Sequence, residues 1–182
     1  MILLIKICYH PLHYFEFVKP IEDIVKKESL DYISIHYRNI TKEILNTSDK
    51  IIICGTSLKD DAFLGDIHTF QWIKKYNKPM LGICGGMHIL GLIYEGHLKK
   101  QKEIGLYPIQ FDEEFLGMKG KKQVYELHKY IVQSNYFKKY ATSQNCHQAI
   151  KHTKKPIYGV IFHPEVRNKE LITQFIHTVN QE

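Results

Sequence analysis

Met80-Leu81-Gly82-Ile83-Cys84-Gly85-Gly86-Met87-His88-Ile89-Leu90 reads as an apolar strand that runs through a G-x-C-x-G core into an apolar helical stretch. A side chain on so tight a strand-to-helix turn projects above the sheet edge. The flanking glycines are needed because the backbones there pass too closely for a β-carbon. The helix N-terminus behind the cysteine favours thiolate, the reactive form. Cys84 is therefore a candidate nucleophile. Taken alone, the same pattern also describes a buried cysteine beside glycines that pack a strand on a helix.

Upstream of this turn, short β-branched runs alternate with amphipathic stretches, the pattern of parallel strands joined by crossover helices. Strands are expected at Ile2 to Cys8, Tyr32 to His36, Lys50 to Cys54 and Met80 to Cys84. Pro20-Ile21-Glu22-Asp23-Ile24-Val25 places a proline and two acids in a first helical turn, where the missing N–H costs little and the dipole favours carboxylates. Thr41 to Leu45 and Ile67 to Tyr76 read as further helices, and Pro79 opens the fourth strand.

After Gly96 the runs shorten: Ile104 to Phe111, Gln123 to Leu127, Tyr130 to Val132, Gln148 to Lys151 and Ile157 to Phe162, then a last helix from Lys169 to Val179. These read as largely antiparallel strands. The fold class is α/β, a parallel (mixed) central sheet flanked by helices with an appended antiparallel β segment. With no internal repeat, low-complexity tract or linker, residues 1–182 are expected to form one domain.

Bulk properties narrow the function classes. A chain of 182 residues with 44% hydrophobic content can bury one sizeable core. The net charge of +6 is spread in lysine doublets such as Lys26-Lys27 and Lys121-Lys122, which mark solvated faces, so nucleic acid is not an expected partner. No apolar stretch reaches the length of a membrane helix, and the first eight residues lack a basic segment and a cleavage site. Cys8, Cys54, Cys84 and Cys146 are widely separated, which suits reduced thiols and a cytoplasmic location.

The partners of Cys84 lie near the other end. Tyr158-Gly159-Val160-Ile161-Phe162-His163-Pro164-Glu165-Val166 is an apolar strand that stops at a His-Pro-Glu turn. A cysteine nucleophile needs a base, and the base needs a carboxylate to fix its tautomer. His163 and Glu165 fit these roles, because strand-end turns on one edge of a parallel sheet converge. Acyl transfer also needs oxyanion donors. The Gly85 N–H is one candidate. Gly55, in Ile51-Ile52-Ile53-Cys54-Gly55-Thr56-Ser57, is another, although Gly55-Thr56-Ser57 reads equally well as an ordinary turn.

G-x-C-x-G, the strand-end glycine and His-Pro-Glu, in this order, resemble the class I (triad) glutamine amidotransferases, most nearly the glutaminase lobe of GMP synthetase. Ala141-Thr142-Ser143-Gln144-Asn145-Cys146 adds to the resemblance, which covers most of the chain from about residue 50 onward. It implies a flavodoxin-like class I glutamine amidotransferase fold, no cofactor, and a glutaminase. In that chemistry the cysteine attacks the side-chain amide of glutamine, a glutamyl thioester forms, ammonia leaves and water regenerates the enzyme. The ammonia passes to a synthetase, here on a separate subunit, since this chain has no room for one.

Several positions depart from the family's pattern. His88 stands where a substrate-holding glutamine is usual. Around His128, Leu127 and Lys129 replace a polar residue and a glycine that grip the substrate's α-groups. Cys54-Gly55-Thr56 replaces Gly-Gly-Pro, and Ile161 replaces a glutamine. His88, Leu127, His128 and Lys129 are therefore the candidate substrate-binding residues, with glutamine or another γ-glutamyl compound as substrate. A stand-alone γ-glutamyl hydrolase or peptidase and a non-catalytic regulatory homologue are the alternatives. His10 and His13 have metal-binding chemistry but no evident third ligand, and Pro11 signals a turn, so a surface loop is expected and no metal site.

Overall fold

A computed structural model describes residues 1–143 and 146–179. The isoleucine-rich runs form β1 (Ile2–Lys6), β2 (Tyr32–His36), β3 (Lys50–Ile53) and β4 (Met80–Ile83), paired in parallel in the order β2-β1-β3-β4. The later strands are β5 (His97–Phe115), β6 (Met118–Gln133), β7 (Phe137–Thr142), β8 (His147–His152) and β9 (Ile157–Val160). The helices are α1 (Pro11–His13), α2 (Lys19–Lys27), α3 (Lys42–Thr47), α4 (Gly85–Ile93) and α5 (Glu170–His177).

Successive residues of a strand point to opposite faces, so a sheet covered on both sides needs apolar residues at every position. On one face Leu4, Ile52 and Leu81 pack with Ile21 and Val25 of α2 and with Leu171 and Phe175 of α5. On the other, Leu3, Ile5, Ile51, Ile53 and Met80 pack with Ile89 and Leu90 of α4. The result is a three-layer α/β arrangement with the core on both sides of one sheet.

The second half departs from expectation in instructive ways. The run at Ile157 to Phe162 does not simply extend an antiparallel meander. Its first four residues, β9, lie parallel to β4 and antiparallel to β8, so β9 couples the two halves of a nine-stranded sheet ordered β2-β1-β3-β4-β9-β8-β7-β5-β6. The runs Ile104 to Phe111, Gln123 to Leu127 and Tyr130 to Val132 are parts of one long hairpin, β5 with β6, that turns at Leu116-Gly117. The expected gaps are continuous strand, with His128 paired to Glu103 and Lys121 to Gln110, while the hairpin carries a β-bulge between Lys100 and Glu103 and a φ of +111° at Gly105. β7 escaped the sequence reading because Lys138-Lys139 looks like a solvated turn, yet that doublet sits in a strand paired with β8. Ile67 to Tyr76 forms a 3₁₀ helix over Ile67–Lys75. Asp66, at its start, gives its carboxylate to Tyr37 and Arg38 and so does not cap the helix.

Close packing of α4 on the sheet explains the glycines. A β-carbon on Gly82 would lie 2.6 Å from the Gly86 backbone, and one on Gly86 would lie 2.3 Å from the Ile53 carbonyl oxygen. Backbone cannot move aside as a side chain can. Gly86→Ala is therefore expected to lower the unfolding free energy by about 1–3 kcal/mol or more, read as a lower urea midpoint. An unchanged midpoint would remove this account of the motif. No helix among the described residues is long and apolar enough to cross a membrane.

Candidate active site

The turn between β4 and α4 places Cys84 at φ 49° and ψ −105°, a conformation that residues with a β-carbon rarely adopt. The turn is held by the Cys84 N–H, which donates to the Val160 carbonyl at 2.8 Å, and by the Cys84 carbonyl, which accepts from the His88 N–H at 3.1 Å. Gly85 follows at the helix start. A β-carbon there would strike Ile7 Cδ1 at 2.6 Å and Phe63 Cζ at 3.0 Å.

Because β9 runs parallel to β4, the segment after it emerges on the same sheet edge, and this brings His163 to Cys84. The His163 N–H is anchored on the Tyr125 carbonyl at 2.9 Å, and Phe17 lies against its ring with centroids 5.1 Å apart. His163 Nδ1 lies 2.6 Å from Glu165 Oε1, and both side chains are fully buried. The carboxylate accepts, so Nδ1 carries the proton. Nε2 has no hydrogen-bond partner and is the ring atom left to serve a thiol. Burial opposes charge on this imidazole, but Glu165 and then Cys84 outweigh it and raise the His163 pKa well above the usual value.

Gly55 sits beside both groups. A β-carbon on it would lie 2.8 Å from His163 Cε1 and 3.6 Å from Cys84 Cβ. A residue in this place with no room for a side chain fits the site better than an ordinary turn.

A small cavity opens beside the thiol, bordered by Cys84, Gly85, His88, Leu127, His128 and Lys129. The four candidate substrate-binding residues thus share one cavity but behave differently. The Leu127 carbonyl accepts from the Cys84 thiol at 3.6 Å. Lys129 Nζ pairs with Asp61 Oδ2 at 2.6 Å, and Asp61 also borders the cavity. The His128 imidazole is fully buried, among Gln101, Glu103 and Glu126, so this residue meets the cavity chiefly by its backbone.

His88 donates from Nε2 to the Tyr130 carbonyl at 2.9 Å, which leaves Nδ1 as the ring nitrogen free for a ligand. Burial pushes its pKa down to about 4, so it is neutral at pH 7. In the unfolded chain the imidazole takes a proton below its ordinary value of 6.5. Its contribution is therefore complete above that pH and is lost as pH falls toward 4. The full loss is about 3 kcal/mol. His88→Gln is expected to remove this acid sensitivity, measured by comparing denaturation midpoints of parent and variant at pH 7 and pH 4. Equal acid destabilisation of the two would show that His88 is not the group responsible.

Asp60 and Asp61 were not singled out from the sequence, where an acidic doublet after a strand-end glycine carries no hint of its partners. Asp60 is buried, borders the cavity, and accepts from the Tyr9 N–H at 2.9 Å and from His13 Nδ1 at 2.6 Å. His13, at the end of α1 where the sequence reads as a loop, therefore ties the exposed Tyr9 to His13 segment to the site wall. His10 and His13 share no metal-ligand set among the described residues. The four cysteines are free and buried. Within Ala141 to Cys146, Gln144 and Asn145 lie outside the described residues.

Comparison with known proteins agrees with this geometry. Residues 13–179 match the family model for class-I glutamine amidotransferases. The glutamine-hydrolysing GMP synthase subunit of Pyrococcus abyssi is 38% identical over 134 residues, covering 69% of this chain and 70% of the relative. Its Methanosarcina barkeri counterpart is 31% identical over 140 residues, covering 70% and 72%. The GMP synthase of Spiroplasma kunkelii is 32% identical over 158 residues, which are 79% of this chain but 30% of that longer protein. Among solved structures, a Thermoplasma acidophilum protein provisionally assigned as a GMP synthase subunit superposes with a TM-score of 0.84 at 22% identity, covering 96% of this chain and 91% of that one. That likeness bears on the fold. The sequence match and the fold together place this chain in the class I glutamine amidotransferase family.

Proposed function

We propose that this chain is a glutaminase subunit that releases ammonia from glutamine at Cys84 and delivers it to a separate synthetase. The observation that carries the reading is the Glu165–His163 pair, buried and bonded at 2.6 Å, with its free imidazole nitrogen on the same sheet edge as the strained Cys84. In the first step His163 takes the thiol proton, and the sulfur attacks the amide carbon of glutamine. Gly85 and Gly55 are the proposed sources of N–H groups for the oxyanion. His163 then protonates the departing amine, which leaves as ammonia. Water, deprotonated by the same imidazole, cleaves the thioester to glutamate and restores the thiol.

The cavity is small. That size suits free glutamine better than a bulky γ-glutamyl compound. Lys129 and Asp61 border the cavity and carry the charges that would complement the α-carboxylate and α-ammonium of an amino acid. A synthetase partner is supported by Tyr9, Leu12 and Phe15, large apolar side chains that are about two-thirds exposed on the segment around α1, which Tyr9 and His13 tie to Asp60. The archaeal GMP synthase relatives, which are named as subunits, point the same way.

The test is ammonia release from glutamine by the purified chain, first by itself and then with the synthetase component of a GMP synthase, using γ-glutamyl amides of increasing bulk for comparison. Preference for free glutamine is expected. Faster turnover of a bulky γ-glutamyl compound would replace this reading with that of a stand-alone hydrolase.

A further inference from the structure

Behind the cavity wall, two strands and the segment leading into a third bring a carboxylate, an imidazole and a thiol to one point. Glu103 on β5, His128 on β6 and Cys146 just ahead of β8 are all buried, and each offers a ligand atom within 4.8 Å of the others. His128 Nε2 lies 3.2 Å from Glu103 Oε2, and Cys146 Sγ lies 3.4 Å from the same oxygen. These match the edges of a tetrahedron whose centre is about 2.0 Å from nitrogen and oxygen and about 2.3 Å from sulfur.

Carboxylates crowd the cluster with no fixed positive charge beside them among the described residues. His128 Nδ1 lies 3.1 Å from the Gln101 carbonyl, which can only accept, so Nδ1 carries a proton and a neutral ring presents its lone pair at Nε2. That nitrogen faces two carboxylates, Glu103 Oε2 and Glu126 Oε2, each at 3.2 Å. Glu126 is fully buried, and neither of its oxygens has a hydrogen-bond partner. Among the described residues no lysine or arginine pairs with either glutamate. Ser143 Oγ and Gln148 Nε2 donate to Glu103 but carry no charge. Without a positive charge among them, one of the two carboxyl groups must hold a proton or stand as a costly buried charge. A divalent cation answers both.

We propose that Glu103, His128 and Cys146 bind a zinc ion. A thiolate, imidazole and carboxylate donor set selects zinc over the harder magnesium or calcium. On binding, the Cys146 S–H bond breaks, its proton goes to solvent, and the sulfur pair forms the Zn–S bond. The His128 lone pair and the Glu103 carboxylate complete the protein ligands. The Gln101 carbonyl holds the imidazole in its ligating orientation, and Gln148 Nε2, 3.0 Å from both Cys146 Sγ and Glu103 Oε2, steadies the other two. The ion would join β5, β6 and the lead-in to β8 directly behind Leu127 and Lys129. This makes it a fastening of the cavity wall. Only that consequence rests on the glutaminase reading.

The test uses the full chain, expressed with zinc and dialysed against a weak chelator. About one zinc per chain is expected by elemental analysis, with a rise in thermal midpoint when zinc is returned to chelator-stripped protein. Cobalt substitution should give a thiolate-to-cobalt charge-transfer band and visible ligand-field bands. Cys146→Ser should lose the charge-transfer band and most of the metal while its circular dichroism stays that of the parent. Cys84→Ala should keep both, so failure of the zinc site and failure of the nucleophile assignment are separable. A parent chain that binds no zinc and shows no midpoint shift overturns the proposal. So does full zinc retention by Cys146→Ser, which would place the metal elsewhere, such as at His10 and His13. If Cys146→Ser does not fold, the parent's zinc content and the presence or absence of its thiolate–cobalt band decide.

Discussion

Cys84→Ala is expected to reduce ammonia release from glutamine by about 10⁶-fold, the scale on which a protease fails when its nucleophile is removed. In the proposed reaction the Cys84 sulfur becomes covalently attached to substrate, and Cys8, Cys54 and Cys146 are not placed to substitute for it. Desolvation raises the pKa of each, most of all in Cys54. None stands on a strand-to-helix turn with an imidazole beside it. The assay is coupled detection of ammonia, run with the synthetase present if the parent chain needs it. Thermal midpoints measured alongside show that the variant is folded. Turnover above one-hundredth of the parent's rate would remove Cys84 from the mechanism.

Glu165→Gln is expected to cost about 10⁴-fold in turnover, as in a serine protease whose triad carboxylate becomes an amide. The fold should survive, because the amide is nearly isosteric in a site where the carboxylate meets His163 at 2.6 Å. What is lost is the charge that holds the imidazole in one tautomer and favours its protonated form. A second readout follows from the raised pKa of His163. A folded-state pKa above the unfolded one contributes stability that is complete below the unfolded value, about 6.5. That contribution disappears as pH rises through the folded value. The parent's thermal midpoint should therefore decline on the alkaline side, and Glu165→Gln, with its imidazole pKa lowered, should show a flatter curve. Parallel curves with unchanged turnover would leave Glu165 a structural residue.

Much of this site was legible because its information is local. The Gly-x-Cys-x-Gly turn needs glycines at contacts within a few residues or against the neighbouring strand, and Gly82 and Gly86 meet those contacts. His163 and Glu165 lie two apart on one turn, so their pairing could be read without knowing the rest of the fold. The strand positions of the first half were equally plain, since strands buried on both faces must be apolar throughout.

What the sequence could not supply is pairing across the sheet. Whether Ile157 to Val160 runs with β4 or only beside β8 depends on which edge is open, and that decides whether His163 reaches Cys84 at all. Lys129 with Asp61, His13 with Asp60, and Glu103 with His128 and Cys146 are contacts between distant segments, made by residue types common on any surface. The sequence by itself singled out the candidate nucleophile, its candidate base and the strands that carry them, because each is written in short-range sterics and periodicity. The tertiary structure alone decided the cavity and the buried polar cluster behind it, because strand order and register bring their residues together and no local pattern encodes either.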